Sequence, residues 1–192
     1  FNGPSGICLD SEDNLYVADA RNCRIQKFTT DGEFVLEWGV SGHCDGQLSL
    51  PWGLACDLTG NVLVADWGND RIQEFTSEGE FIAKFGESGT GDGQFSRPSG
   101  VAIDRDGFIY VADWGNHRLQ VLARDGTFLQ NQRGQATLSP WAEEFFEANS
   151  EEWQARSRSN LTPAMLSEVH TPYEESSRIE SYFWGPVSVK LD

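Results

Sequence analysis

The stretch VADWGNHR (Val111 to Arg118) has a near copy in VADWGNDR (Val64 to Arg71) and a looser one in VADARNCR (Val17 to Arg24), each 47 residues from the next. Pro4, Pro51 and Pro98 keep the same step, so the period belongs to a whole unit and not to one motif. A repeat of this length selects among a small set of architectures, in which each unit buries its apolar face against its neighbours. The content of the unit decides between them. In the third copy GVAID (Gly100 to Asp104), IYVAD (Ile109 to Asp113), RLQVL (Arg118 to Leu122) and TFLQN (Thr127 to Asn131) are short runs of β-branched, aromatic and aliphatic residues. They predict four strands per unit and exclude a solenoid of helix pairs.

The joints agree with that reading. DRDG (Asp104 to Gly107) and RDG (Arg124 to Gly126) put Asp and Gly where a hairpin needs positive φ or a side-chain-capped turn, and SEG (Ser77 to Gly79) and TDG (Thr30 to Gly32) repeat the device. Four antiparallel strands at this period are the signature of a propeller blade stacked face to face around a channel. The expected fold is therefore all-β: three four-stranded blades over residues 1–134, forming an open partial ring.

The pattern P-x-G-(I/L/V)-x-x-D, then (Y/L)-V-A-D-x-x-N-x-R-(I/L)-Q, then D/E-G-x-F closely resembles the NHL repeat, in three copies from Pro4 to Arg133. GPVSVKLD (Gly185 to Asp192) reads as the start of a fourth, with 183–192 as its first strand. The Gly-His and Trp-Asp spacing of the other common propeller repeat is absent. The resemblance implies a ring of which this chain supplies about half, six blades in all. The missing blades come either from the rest of a longer chain or from a second copy. Both ends read as cuts: Phe1 stands three residues before the first repeat proline, and Asp192 closes the fourth inner strand.

Asp19 with Arg24, Asp66 with Arg71 and Asp113 with Arg118 lie at the end of one strand and the start of the next. A guanidinium fork on a carboxylate would pin the turn with two parallel bonds. Asn22, Asn69 and Asn116 fit the bend, through left-handed backbone or a side-chain turn. Recurrence in every unit marks these residues as scaffold, so binding is sought where the copies disagree. At the second turn position they read Ala20, Trp67 and Trp114, and at the fourth Cys23, Asp70 and His117. The connections VSGHCDGQLSL (Val40 to Leu50) and ESGTGDGQFSR (Glu87 to Arg97) open onto the same rim, a variable surface on a rigid frame. Trp67 and Trp114 read as a stacking platform for a ligand or as packing on their own blade edges.

A further disagreement follows the third unit, where about 41 residues are added before Pro186. Residues 135–182 change from strand patterns to SPWAEEFFEANSEEWQARS (Ser139 to Ser157). Ser139–Pro140 is an N-cap and first-turn pair, and Ser150 followed by Glu151 and Glu152 starts a second helix. Trp141 and Phe145, four apart, share one helical face. A mainly helical lid over the loop rim is expected; the alternative is an insertion with no ligand. The tentative contact set is Trp67, Trp114, His117, Trp141 and Phe145, facing a protein, a peptide or a small ligand.

The net charge of −16 is spread over both halves, −10 in residues 1–134 and −6 beyond. Some NHL propellers bind RNA through a basic rim, but phosphate neutralisation needs clustered Lys and Arg, and this chain offers no such cluster. No run is long and apolar enough to span a membrane.

Cys8 and Cys56 align with Ala55 and Leu9 and are expected as small apolar fillers, whereas Cys23 and Cys44 sit in two rim loops of one blade and read as free thiols or, as the lesser alternative, a pair. No CxxC spacing suggests a structural zinc site. His43, His117 and His170 all fall in rim segments, weak candidates for a zinc site with an open position. The family resemblance brings in a zinc-dependent lyase that makes peptide amides, and this is the runner-up function, a metal-dependent lyase or hydrolase. Its ligands belong on inner strands, and the inner strands here carry no His. Asp10, Asp57, Asp104 and Asp192 recur near the channel and read as turn caps, or else as calcium ligands. No nucleophile elbow or phosphate-binding loop is present. The reading is a non-catalytic interaction scaffold with no required cofactor.

Overall fold

The computed structural model describes residues 1–132 and residue 189. The expected insertion at 135–182 and, Val189 aside, the expected strand at 183–192 lie outside the described residues. Trp141, Phe145, His170 and Asp192 fall there too.

Each unit forms four strands. The first holds β1 (Pro4–Leu9), β2 (Leu15–Asp19), β3 (Arg24–Phe28) and β4 (Phe34–Trp38). The second holds β5 (Pro51–Cys56), β6 (Val62–Asp66), β7 (Arg71–Phe75) and β8 (Phe81–Phe85), and the third β9 (Pro98–Ile103), β10 (Ile109–Asp113), β11 (Arg118–Leu122) and β12 (Phe128–Gln132). All three sheets are antiparallel meanders in chain order. Gly107, which the sequence placed in a hairpin turn, stands at φ +88°, and Gly60 holds the equivalent position of the second blade at +87°, each donating its N–H to the Asp carbonyl three residues earlier. In the first blade Asp13 takes that position at φ +62°.

Alternation of side chains puts the two faces of the middle blade to different uses. Val62 and Val64 join Tyr16, Ala18, Ile25, Leu54 and Phe75 in the cluster between blades one and two. Leu63 and Ala65 join Ile72, Val101, Ile109, Val111 and Leu122 between blades two and three. Strands β6 and β7 are consequently buried at every position. Aromatic contacts brace the first seam, with the Trp38 ring 6.0 Å from Tyr16, edge-on, and 6.0 Å from Phe75, tilted.

The glycine of the P-x-G pattern sets how closely the inner strands approach. A Cβ on Gly6 would run into the Trp52 carbonyl oxygen, and one on Gly53 would lie 2.7 Å from the Gly100 Cα. Inner strands β1, β5 and β9 therefore run backbone against backbone and wall a cavity of about 480 Å³ on the channel side.

Candidate functional site

The repeated motif acts as one hydrogen-bonded hub per blade. Asp66 is fully buried; its Oδ2 accepts from Asn69 Nδ2 at 2.9 Å, Arg71 Nε at 2.9 Å and Gln73 Nε2 at 3.0 Å, and its Oδ1 accepts from the Ser49 N–H at 2.7 Å. Asp113 repeats this with Asn116, Arg118, Gln120 and Ser96, and Asp19 with Asn22, Arg24, Gln26 and Asn2. One detail differs from expectation, and a second decides between the two readings of the asparagine. The guanidinium does not place two parallel bonds on the carboxylate: Arg71 Nη2 reaches the carbonyls of Cys44 and Gln47 at 2.8 and 2.9 Å. The left-handed residue of the turn is not the asparagine but its successor, Cys23, Asp70 or His117, because the asparagine side chain is committed to the aspartate. The glutamines were in the pattern without a role; they join the hub to the loop, Gln73 Nε2 donating to the Gln47 carbonyl at 2.7 Å.

The hub thus ties each rim loop to the next blade and holds turns and loops together on one rim. There Trp67 is half-buried and pairs with Trp52, their rings 6.1 Å apart and 33° from parallel. The guanidinium of Arg97, an exposed residue of the next connection, lies 5.0 Å from the centre of the Trp67 ring. Asp70 fixes this loop from the turn: it accepts the Arg97 N–H at 2.7 Å and the Ser88 hydroxyl at 2.7 Å. Trp52 itself is 41% exposed and lines the channel cavity, so rim and channel meet at its indole.

Trp52 and Arg97 were not singled out from the sequence, although the signal was present. The aligned positions read Ser5, Trp52 and Ser99, and Gly3, Leu50 and Arg97. Trp114 is half-buried at the third blade's turn. His117 is 5% exposed and so is not offered to a rim ligand, whereas His43 is exposed in its loop. These two imidazoles stand in different settings, and among the described residues no group of three or more His, Cys, Asp or Glu is placed to hold a metal ion.

At the opposite ends of the blades the inner-strand aspartates cap their own turns. Asp10 Oδ1 accepts the N–H groups of Glu12 and Asn14, Asp57 those of Thr59 and Asn61, and Asp104 those of Asp106 and Phe108. Burial pushes the Asp10 carboxyl up, but bonds from Asn14, Tyr16 and Glu12 outweigh it and hold it below the ordinary value. Arg124 of blade three binds Asp57 at 3.0 Å and the buried Glu74, both of blade two. All four cysteines are free thiols, Cys44 exposed and Cys23 half-buried in their loops. Cys8 and Cys56 pack on the first core cluster as expected, but their sulfurs touch each other at 2.8 Å.

Three four-stranded meanders stacked through apolar seams, with their inner strands walling a channel, are blades of a β-propeller. The family model for the NHL repeat matches residues 1–28, in the first blade, and 95–122, in the third. The protein brain tumor of Drosophila melanogaster is 39% identical over 51 residues, which is 27% of this chain and 5% of that protein. Virginiamycin B lyase from Staphylococcus aureus superposes with a TM-score of 0.50 at 16% identity, over 68% of this chain and 41% of that one. The WD40 repeats of RRP9 give 0.53 at 15%, over 67% and 38%. Likeness at such identity is a likeness of fold. The chain spans under half the length of these solved structures and about a twentieth of brain tumor. Among the described residues no helix is long and apolar enough to cross a membrane.

Proposed function

We propose that this chain is part of a non-catalytic interaction scaffold whose loop rim, at the junction of blades two and three, holds a peptide segment of a partner protein. The observation that carries this reading is the group Trp52, Trp67 and Arg97. Two indoles and a guanidinium, the side chains most enriched at binding hot spots, stand partly open on a rim whose backbone is fixed by buried hubs. The exposed Trp52 ring offers to a partner's cation the contact that Trp67 already makes with Arg97. With a net charge of −16 the chain draws basic partners by long-range attraction, so the segment expected here carries Lys or Arg beside an apolar residue. The insertion at 135–182, with Trp141 and Phe145, is proposed as a second part of the same surface.

The fold-level likeness to a lyase carries no catalytic residue to this chain. The test is an affinity selection of random peptides on the wild-type protein and on Trp52→Ala/Trp67→Ala. The expected outcome is a family of basic peptides that bind the variant at least tenfold more weakly while its unfolding midpoint is unchanged. Selected peptides that bind both proteins equally would overturn the proposal.

A further inference from the structure

Cys8 on β1 and Cys56 on β5 belong to different blades and are 48 residues apart in the chain, yet their sulfurs are in contact at 2.8 Å. Their alignment explains why this is one pair and not a repeated feature. The positions equivalent to Cys8 and Cys56 at the next seam are Ala55 and Ile103, which pack against the second cluster as ordinary apolar residues. The seam therefore closes without sulfur, and two thiols at the first seam exceed what packing requires. Both are half-buried, and Cys8 lines the channel cavity, which gives a small molecule a route to the pair.

We propose that Cys8 and Cys56 form an oxidisable dithiol that closes to a disulfide between blades one and two, with a low-molecular-mass disulfide such as oxidised glutathione as the oxidant. In the first step the thiolate of one cysteine attacks a sulfur of the small disulfide. A protein–small-molecule mixed disulfide forms, and one small thiolate leaves and takes up a proton. In the second step the other protein sulfur, already in contact, attacks the protein sulfur of the mixed disulfide as its own proton passes to solvent. The Cys8–Cys56 bond forms and the second small thiol leaves. Two protein thiols are oxidised and one small disulfide is reduced to two thiols. The hydrogen bond to Cys56, burial and the nearby Asp10 push the Cys8 thiol up, which lowers its thiolate fraction and makes the first exchange step slow.

Closure would fix the seam at which Gly6 already packs on the Trp52 backbone, and would constrain the unfolded chain over a loop of nearly fifty residues. The test uses the full chain carrying Cys23→Ser and Cys44→Ser, equilibrated with oxidised and reduced glutathione at a series of ratios, followed by alkylation and peptide mass mapping. The expected result is a Cys8–Cys56 cross-linked peptide that accumulates at oxidising ratios, reverts with reductant and raises the unfolding midpoint by about 5–15 °C. Cys8→Ala and Cys56→Ala, each measured separately, should abolish that oxidation-dependent shift. Two outcomes overturn the proposal: both thiols remaining fully alkylatable at the most oxidising ratio, or stable single glutathione adducts in place of the cross-link.

Discussion

At the scale of single residues, one strained turn and one buried carboxylate in the first blade each carry a separate test. The hairpin position filled by Gly60 and Gly107 is Asp13 in the first blade, a side chain held at φ +62° that glycine adopts without steric cost. Asp13→Gly is expected to raise stability by about 0.5–1 kcal/mol, read from urea unfolding, and a loss would mean that the carboxylate has a role in that turn. Asp19 is the sharpest electrostatic case. Burial pushes its carboxyl up, but the Asn2 N–H, the Asn22 amide and the Arg24 guanidinium outweigh this and hold it at about 2, against an ordinary 3.8. A lowered folded value stabilises above the unfolded one, so this contribution is full above about pH 4 and is lost as the pH falls toward 2. The stability difference between wild type and Asp19→Asn should shrink over that window; a difference independent of pH would contradict the assignment.

At the scale of elements, the same hub sits at three depths and should be worth three amounts. The arginine side chains are 30% exposed at Arg24, 8% at Arg71 and 2% at Arg118, while their aspartates are all buried. Removing Arg118 leaves Asp113 as a buried charge without its ion-pair partner, and Arg118→Ala is expected to cost about 3–5 kcal/mol. Arg24 is partly solvated and shared with the exposed Glu37, so Arg24→Ala is expected to cost clearly less than Arg118→Ala. Equal losses in denaturant unfolding would mean that burial of the hub does not set its contribution.

This scale also separates what was legible in the sequence from what was not. The strands followed from period and turn chemistry, because Gly32, Gly79, Gly107 and Gly126 all hold the positive φ that their Asp-Gly and Glu-Gly turns imply. The hub was visible as spacing, but its second half was not, since Arg71 and Gln73 complete it with carbonyls of a loop 24–27 residues away. Trp67 was found because the copies differ inside the motif. Trp52 and Arg97 differ just as clearly at their own positions, and only the assembled rim brings the three together. Cys8 and Cys56 sit one position out of register in the alignment, so their contact arises from the backbone-to-backbone packing of β1 on β5.

For the whole molecule, the division of labour follows from the repeat. The Asp, Asn, Arg and Gln written three times tie the rim loops to the blades, whereas Trp52 and Arg97, each written once, stand exposed at the junction of blades two and three. The measurement that tests this most directly is hydrogen–deuterium exchange of the chain with and without a basic peptide selected on it. The account predicts new protection confined to residues 50–54, 66–71 and 87–97, around Trp52, Trp67 and Arg97, with the hairpin turns at Asp10, Asp57 and Asp104 unchanged. Protection at those turns with none on the rim would contradict it.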